Sequence, residues 1–126
     1  MLMRLLNARF PAILFAVVLL AALPGVGAAA IKVGDAFPDL ATYKLEGKLP
    51  ESLKDKVVMI DFWASWCEPC KDSFPAMEEF HKRYGPKGLV VIAINVDENR
   101  ADMEAFLKQN RATFTLVRDA SQKLVE

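Results

Sequence analysis

Cysteine and histidine are scarce in this chain, and their scarcity limits its chemistry. The 126 residues include two cysteines and one histidine. A small domain held together by disulfides needs cysteines spread along its length. Both cysteines here lie in the motif Cys67-Glu68-Pro69-Cys70, and a bond between them would close too short a loop to brace a fold. We therefore interpret the pair as chemical rather than structural.

Neither sign of charge is in surplus. The chain has 16 basic and 16 acidic residues. Proteins that bind nucleic acid through its phosphates usually carry a basic excess. Nucleic acid is therefore not an expected partner, and the length fits one small domain.

Charged residues are also missing from Phe10 through Ile31. Arg4 and Arg9 precede this stretch, and the small residues Ala28-Ala29-Ala30 lie near its end. This pattern is typical of a cleaved secretory signal over residues 1–30. A retained membrane anchor is the alternative, because the uncharged stretch is long enough to span a bilayer. Either way we expect the domain, residues 31–126, in the periplasm or anchored at the inner membrane facing it.

Strand and helix patterns alternate after residue 30. Short apolar runs predict strands buried on both faces of a parallel sheet, and apolar residues at helical spacing predict helices. The predicted strands are Val57–Trp63, Leu89–Val96 and Phe114–Val117, and the predicted helices are Glu68–Tyr84 and a segment capped by Asp97-Glu98-Asn99. Such alternation favours an α/β fold with βαβ crossovers. Before the first strand we expect an extended segment over 31–40 and a short hairpin over 41–53 around Glu46-Gly47.

The two cysteines stand where a predicted buried strand passes into a predicted helix. There Cys67 would lie over the free N–H groups of the first helical turn, which favour the thiolate. The thiolate attacks disulfides, and Cys70, one turn deeper, is placed to resolve the mixed disulfide. Glu68 acts both ways, since its charge suits a helix N-terminus but opposes a neighbouring thiolate.

Two further residues of the motif are predicted to shape the substrate surface. Pro69 falls in the first helical turn, where its missing N–H costs nothing, and it stiffens the spacer. Trp66 precedes Cys67 and is predicted to be a partly exposed wall for substrate. Trp63 and the methionines Met59, Met77 and Met103 are predicted to pack in the core.

A metal site is the main alternative interpretation of the cysteine motif. A single C-x-x-C is also half of a zinc site, which needs two more ligands. The chain has one histidine, His81, which we expect to be an exposed surface histidine, and no second cysteine pair, so a metal site would need another chain. We expect neither metal nor cofactor, and keep a non-catalytic thiol-binding or metal-passing module as the alternative function.

Asp61 interrupts an apolar strand six positions before Cys67. Burial would raise the pKa of its carboxyl group. Such a group near the sulfurs is able to relay a proton to or from Cys70. The alternative is an acid at a strand end that backbone groups or water satisfy.

The segment Asp61-Phe62-Trp63-Ala64-Ser65-Trp66-Cys67-Glu68-Pro69-Cys70-Lys71 resembles the thioredoxin active-site signature. Gly34-Asp35-x-Phe37-Pro38, Ser73-Phe74-Pro75 and Gly88-Leu89-Val90-Val91 resemble the TlpA/ResA-like branch of exported thiol:disulfide oxidoreductases. The resemblance implies a thioredoxin fold with an extra helix and strand after the central strand. It also implies that Cys67 is the nucleophile, Cys70 the resolving thiol and Asp61 the buried acid.

The resemblance also suggests partners and one departure from the family. Partners would be protein thiols and disulfides outside the cytoplasm, among them apocytochrome c, and a membrane thiol electron donor. The family places a cis-proline loop beside the cysteines, then a hairpin and a final helix, whereas no proline follows Pro86 here. We therefore expect the C-terminal hairpin and helix to be missing, and residues 31–126 as written to be a weak or inactive piece of such an enzyme.

Overall fold

The computed structural model describes residues 31–125, so the predicted leader lies outside the described residues. Within these residues, four strands and two α-helices follow one another. They are β1 (Glu46–Gly47), β2 (Val57–Trp63), α1 (Glu68–Tyr84), β3 (Leu89–Asn95), α2 (Arg100–Gln109) and β4 (Thr115–Arg118), with 3₁₀ turns at Leu40–Thr42 and Gly85–Lys87. The predicted alternation of strand and helix is confirmed.

The sheet has the order β1-β4-β3-β2. β3 pairs in parallel with both β2 and β4, and β1 pairs antiparallel with β4. The central strand β3 is also the most apolar and the most buried, as expected for a strand covered on both faces. The predicted parallel α/β core is therefore confirmed, with α2 and β4 following the central strand as the resemblance implies.

The two faces of the sheet are covered differently. One face carries an aromatic cluster that both helices cover: Trp63, Phe74, Met77, Val91, Ala93, Phe106 and Phe114. The other face carries a smaller aliphatic cluster under the segment before β2: Leu40, Ile92, Ile94 and Val117. Trp63 and Met77 are buried, and Met59 and Met103 are partly buried against the aromatic cluster, so the prediction that these residues pack in the core is confirmed.

The predicted hairpin over 41–53 is wrong. Glu46 and Gly47 do form a strand, but its partner is β4, with Glu46 opposite Arg118 and Gly47 opposite Val117. The segment before it is not simply extended either, because a turn closes between Lys32 and Asp35 and a 3₁₀ turn begins at Leu40.

Two predictions about burial also need correction. β2 is not buried along both faces, since Val57 is 71% exposed and Phe62 is 39% exposed; within residues 31–125 this strand pairs on one side only. His81 is not a fully exposed histidine. It is half-buried, with its ring 6.4 Å from that of Phe114 and its Nδ1 buried without a hydrogen-bond partner in the described residues.

Candidate active site

The cysteine motif lies where β2 passes into α1, as the sequence predicts. β2 ends at Trp63 and α1 begins at Glu68. Residues 64–67 form the link between them, called here the 64–67 turn, in which the Cys67 N–H donates to the Ala64 carbonyl at 3.1 Å. Cys67 is the N-cap residue of α1, with extended backbone angles. Its sulfur is therefore carried at the end of the helix where free N–H groups favour a negative charge.

Cys67 and Cys70 are joined by a disulfide. Both residues are partly buried, but Cys70 packs against the aromatic cluster whereas Cys67 caps the helix end. The Cys70 N–H donates to the Cys67 carbonyl at 3.1 Å, which holds the two residues within one tight turn. In the reduced protein the two thiols would thus have different surroundings, one facing the helix terminus and one backed by the core.

The surface beside the disulfide is exposed. Trp66 is 75% exposed, and Pro69 is exposed in the first turn of α1. An exposed tryptophan next to a reactive pair provides apolar contact area for another chain. The predicted exposure of Trp66 is confirmed, while its role in binding stays a prediction.

The charge of Glu68 has a partner. The Lys71 ammonium lies 2.6 Å from the Glu68 carboxylate, one turn along the helix. This ion pair draws the Glu68 charge toward a cation and reduces its opposition to a thiolate on Cys67. The side chains are 40% and 79% exposed for Lys71 and Glu68, so solvent screens the pair strongly.

Asp61 is half-buried in β2, opposite Ala93 of β3. Burial raises the pKa of its carboxyl group above the ordinary value of 3.8. Its Oδ2 is buried and accepts no hydrogen bond from the described residues. This is the environment of a carboxyl group that holds a proton more readily than usual.

A polar network that the sequence patterns do not predict lies beneath the 64–67 turn. The sequence predicts that Asp97 helps to cap α2, but Asn99 is the N-cap and its side chain makes no capping bond. The Asp97 carboxylate instead accepts hydrogen bonds from Ser65 and from Asn95. A polar residue in an apolar strand is the signal that could have revealed this network. Asn95 is such a residue at the end of β3, as Asp61 is within β2.

The largest cavity among the described residues is not lined by the cysteines. A cavity of about 610 Å³ opens between the segment before β2 and the aliphatic face, among side chains such as Leu40, Leu49 and Ile60. A smaller cleft of about 390 Å³ borders the site, with Ser65 and Lys71 on one wall and α2 on the other. The large cavity is mostly apolar and neither cysteine lines it, so we take the disulfide as the candidate active site. No group of three or more potential metal ligands occurs within residues 31–125.

Residues 33–126 match the AhpC/TSA family. The chain belongs to the AhpC/TSA family. Within that family it is similar to the thiol-disulfide oxidoreductase ResA from a strain of Bacillus cereus, with 34% identity over 97 residues, covering 75% of this chain and 56% of that protein. The ResA of Bacillus subtilis (strain 168) is 32% identical over 102 residues, covering 79% of this chain and 57% of its own length.

Solved structures agree with this placement. A candidate thiol:disulfide interchange protein DsbE from Chlorobium tepidum superposes with a TM-score of 0.68 and 37% identity, covering 75% of this chain and 68% of that one. StoA from Bacillus subtilis superposes with a TM-score of 0.50 and 29% identity, covering 56% of this chain and 55% of that one. The resemblance to ResA-like proteins and the thioredoxin fold is therefore confirmed for this AhpC/TSA family member.

The chain spans 56% of the length of the Bacillus cereus relative that it matches. Among the helices of residues 31–125, neither has the length and apolar character needed to cross a membrane.

Proposed function

We propose that this protein is a thiol:disulfide oxidoreductase that reduces protein disulfides through the Cys67/Cys70 dithiol. The observation that carries the proposal is the Cys67–Cys70 disulfide at the N-terminus of α1. A helix N-terminus lowers the pKa of a thiol. A second thiol one turn away is placed to attack the mixed disulfide with the substrate and to release the substrate. The names of the family relatives support the same chemistry.

The proposed reaction has two exchange steps. The Cys67 thiolate attacks one sulfur of a substrate disulfide, forms a mixed disulfide and releases the other substrate sulfur as a thiolate. Cys70, deprotonated, then attacks the Cys67 sulfur, which releases the second substrate thiol and leaves the Cys67–Cys70 disulfide. A dithiol donor must return two electrons and two protons before the next cycle. We propose that Asp61 exchanges the proton of Cys70, which its raised pKa favours.

The proposed setting is the periplasm, with the leader removed near Ala28-Ala29-Ala30. The tripartite pattern of residues 1–30 supports export. The proposed substrates are protein disulfides, with apocytochrome c as one example and a membrane thiol carrier as donor. Trp66 and Pro69, both exposed beside the disulfide, are the proposed contacts for the substrate chain. Mass spectrometry of the exported protein checks the leader, since an intact Met1 in the membrane fraction would support an anchor instead.

Insulin reduction with dithiothreitol tests the activity. We expect the purified protein to speed the precipitation of insulin chains weakly but measurably above dithiothreitol alone, and Cys67→Ser to abolish the acceleration. Cys70→Ser should instead accumulate mixed disulfides with substrate, because resolution is lost. The double variant Cys67→Ser/Cys70→Ser is the matched control, and its precipitation rate is the background. If the wild-type protein gave only that background, the proposal of an active oxidoreductase would be wrong, and a non-catalytic thiol-binding or metal-passing module or an inactive piece of such an enzyme would remain.

Alkylation tests the assignment of the two thiols. With the disulfide reduced, iodoacetamide near neutral pH should modify Cys67 before Cys70, because only Cys67 caps the helix. Peptide mapping after short exposure identifies the modified residue. Faster modification of Cys70 would reverse the proposed roles.

A further inference from the structure

A buried carboxylate holds the turn that carries Cys67. Asp97 follows β3 and is 2% exposed. Its two oxygens accept the Ser65 backbone N–H at 3.1 and 3.0 Å, and Oδ1 also accepts the Ser65 hydroxyl at 2.9 Å. The two residues are 32 positions apart in sequence, so these bonds join the end of β3 to the 64–67 turn.

Asn95 fixes the orientation of that carboxylate. Asn95 is fully buried, and its Nδ2 donates to Asp97 Oδ2 at 2.7 Å. In return the Asp97 backbone N–H donates to Asn95 Oδ1 at 3.1 Å. Among the described residues, no lysine or arginine side chain forms an ion pair with Asp97. Since a buried charge is costly without hydrogen bonds, its carboxylate depends on Asn95 and on the 64–67 turn.

The turn transmits this restraint to Cys67. Ser65 lies two residues before Cys67, and Ala64, whose carbonyl accepts the Cys67 N–H, is 1% exposed. With Ala64 buried and Ser65 bonded at two atoms, the start of the turn has little freedom. The place of Cys67 as the N-cap residue of α1 follows from it.

We propose that Asp97 is a positioning residue for Cys67, acting through Ser65. By holding the 64–67 turn it keeps the Cys67 sulfur over the free N–H groups of α1, which stabilise the thiolate. The inference rests on the proposed function, because the position of the sulfur matters when Cys67 attacks as a thiolate. The cysteine motif itself does not predict that the position of Cys67 depends on Asp97, a residue that follows β3.

The charge of Asp97 and its hydrogen bonds act on Cys67 in opposite directions. A negative charge near a thiol raises its pKa, so loss of the charge alone would increase the thiolate fraction. Loss of the hydrogen bonds loosens the turn and moves the sulfur away from the helix N-terminus, which decreases the thiolate fraction. The sign of the change therefore distinguishes positioning from a through-space charge effect.

The test is the pH dependence of iodoacetamide alkylation of reduced Cys67, in protein carrying Cys70→Ser so that one thiol reacts. With Asp97→Asn added, we expect the thiolate fraction at pH 7 to fall about two- to fivefold, the range that helix-end interactions allow. Ser65→Ala keeps the charge and removes the hydroxyl bond, so it should give a smaller fall. An unchanged or increased thiolate fraction in Asp97→Asn would overturn the proposal; if that variant does not fold, an unchanged fraction in Ser65→Ala would do so.

Asp119→Asn is the matched control. Asp119 is 1% exposed at the end of β4 and accepts hydrogen bonds from Ser121 and Leu124 rather than from the 64–67 turn. This substitution should lower stability without moving the pKa of the Cys67 thiol. If Asp119→Asn lowered the thiolate fraction of Cys67 as much as Asp97→Asn does, the cause would be a general loosening of the fold, which would contradict the proposal. Alkylation requires no turnover, so failure of the insulin assay and failure of this inference are seen separately.

Discussion

Asp61 lies in β2 with one carboxylate oxygen buried and no hydrogen bond to that oxygen within residues 31–125. Because burial disfavours the ionised form, the folded protein holds this proton to a higher pH than the unfolded chain does. The free energy of unfolding therefore decreases as the pH rises above the ordinary pKa of 3.8 and through the higher folded pKa. At neutral pH Asp61 therefore lowers the free energy of unfolding, although the proposed proton exchange with Cys70 needs this residue.

Asp61→Asn should therefore stabilise the protein at pH 7 and slow disulfide exchange. The gain over wild type should shrink as the pH falls and disappear below about 3.8, where the wild-type carboxyl group is protonated in both states. Urea unfolding across this pH range measures it. Asp72→Asn, an exposed position on α1, is the control and should change little. A gain that stays constant with pH would show that burial of the charge is not its cause.

A second carboxylate contributes in the opposite sense. Glu78 of α1 accepts hydrogen bonds from the Thr113 hydroxyl at 2.7 Å and from its N–H at 2.8 Å, and the Lys82 ammonium lies 3.0 Å away. The hydrogen bonds from Thr113, with Lys82, lower the pKa of Glu78 to about 2. Its contribution to stability is complete above the ordinary value of 4.5 and is lost as the pH falls toward 2.

Glu78→Gln should cost about 1–3 kcal/mol at pH 7, as expected for hydrogen bonds to a charged group. The cost should diminish as the pH falls from 4.5 toward about 2, because the unfolded chain binds a proton at Glu78 before the folded protein does. Chemical denaturation at several pH values measures the difference. Glu79→Gln, exposed on the same helix, is the matched control. Equal losses in the two variants would exclude the Thr113 contact as the source.

Between elements, the contact of β1 with β4 depends on Gly47. Its φ is +120°, and a Cβ there would lie 2.9 Å from the Leu116 carbonyl oxygen. The strand also brings the Glu46 carboxylate to 2.9 Å from the Arg118 guanidinium, itself bonded to the carbonyls of Asp97 and Glu98. A two-residue strand thus ties the segment before β2 to the strand ends near the active site.

Gly47→Ala should destabilise the protein by about 1–3 kcal/mol, from backbone strain and from the close contact together. Gly34→Ala separates the two causes, because Gly34 has a φ of +95° but open space where a Cβ would stand. Thermal unfolding of both variants measures the difference. If Gly34→Ala were as harmful as Gly47→Ala, the approach to Leu116 would not be the cause.

For the molecule as a whole, stability depends on the aromatic face of the sheet. Phe74 has its ring centre 4.9 Å from that of Trp63, 5.0 Å from Phe106 and 5.5 Å from Phe114. It therefore joins both helices to β2 and to the segment before β4. A domain of this size has a net stability of about 5–15 kcal/mol, so the packing of one such residue contributes a large fraction of the free energy of unfolding.

Phe74→Ala should cost about 3–5 kcal/mol, the usual loss for a buried phenylalanine, and should broaden or abolish the unfolding transition. Phe80→Ala on the same helix is the control, since Phe80 is 43% exposed. Equilibrium urea unfolding followed by circular dichroism compares them. Similar losses at the two positions would show that the aromatic cluster is not the main source of stability.

The local features of this protein could be predicted from its residues alone. Helix α1 runs over Glu68–Tyr84 as predicted, because its cysteine motif, apolar spacing and Gly85-Pro86 stop all act within a few residues. The strands β2, β3 and β4 lie within a residue or two of their apolar runs. The place of Cys67 at the head of α1 follows from the same local signals.

The pairing of distant segments could not be predicted in this way and is known only from the folded chain. Glu46-Gly47 pairs with β4 rather than folding on itself, His81 is half-buried against Phe114, and Asp97 bonds to Ser65 rather than capping α2. Such contacts depend on the surfaces that the sheet brings together, and a polar side chain or a two-residue strand is compatible locally with several partners. Periodicity and turn residues fix elements over short distances, whereas the choice among distant partners is made when the core packs.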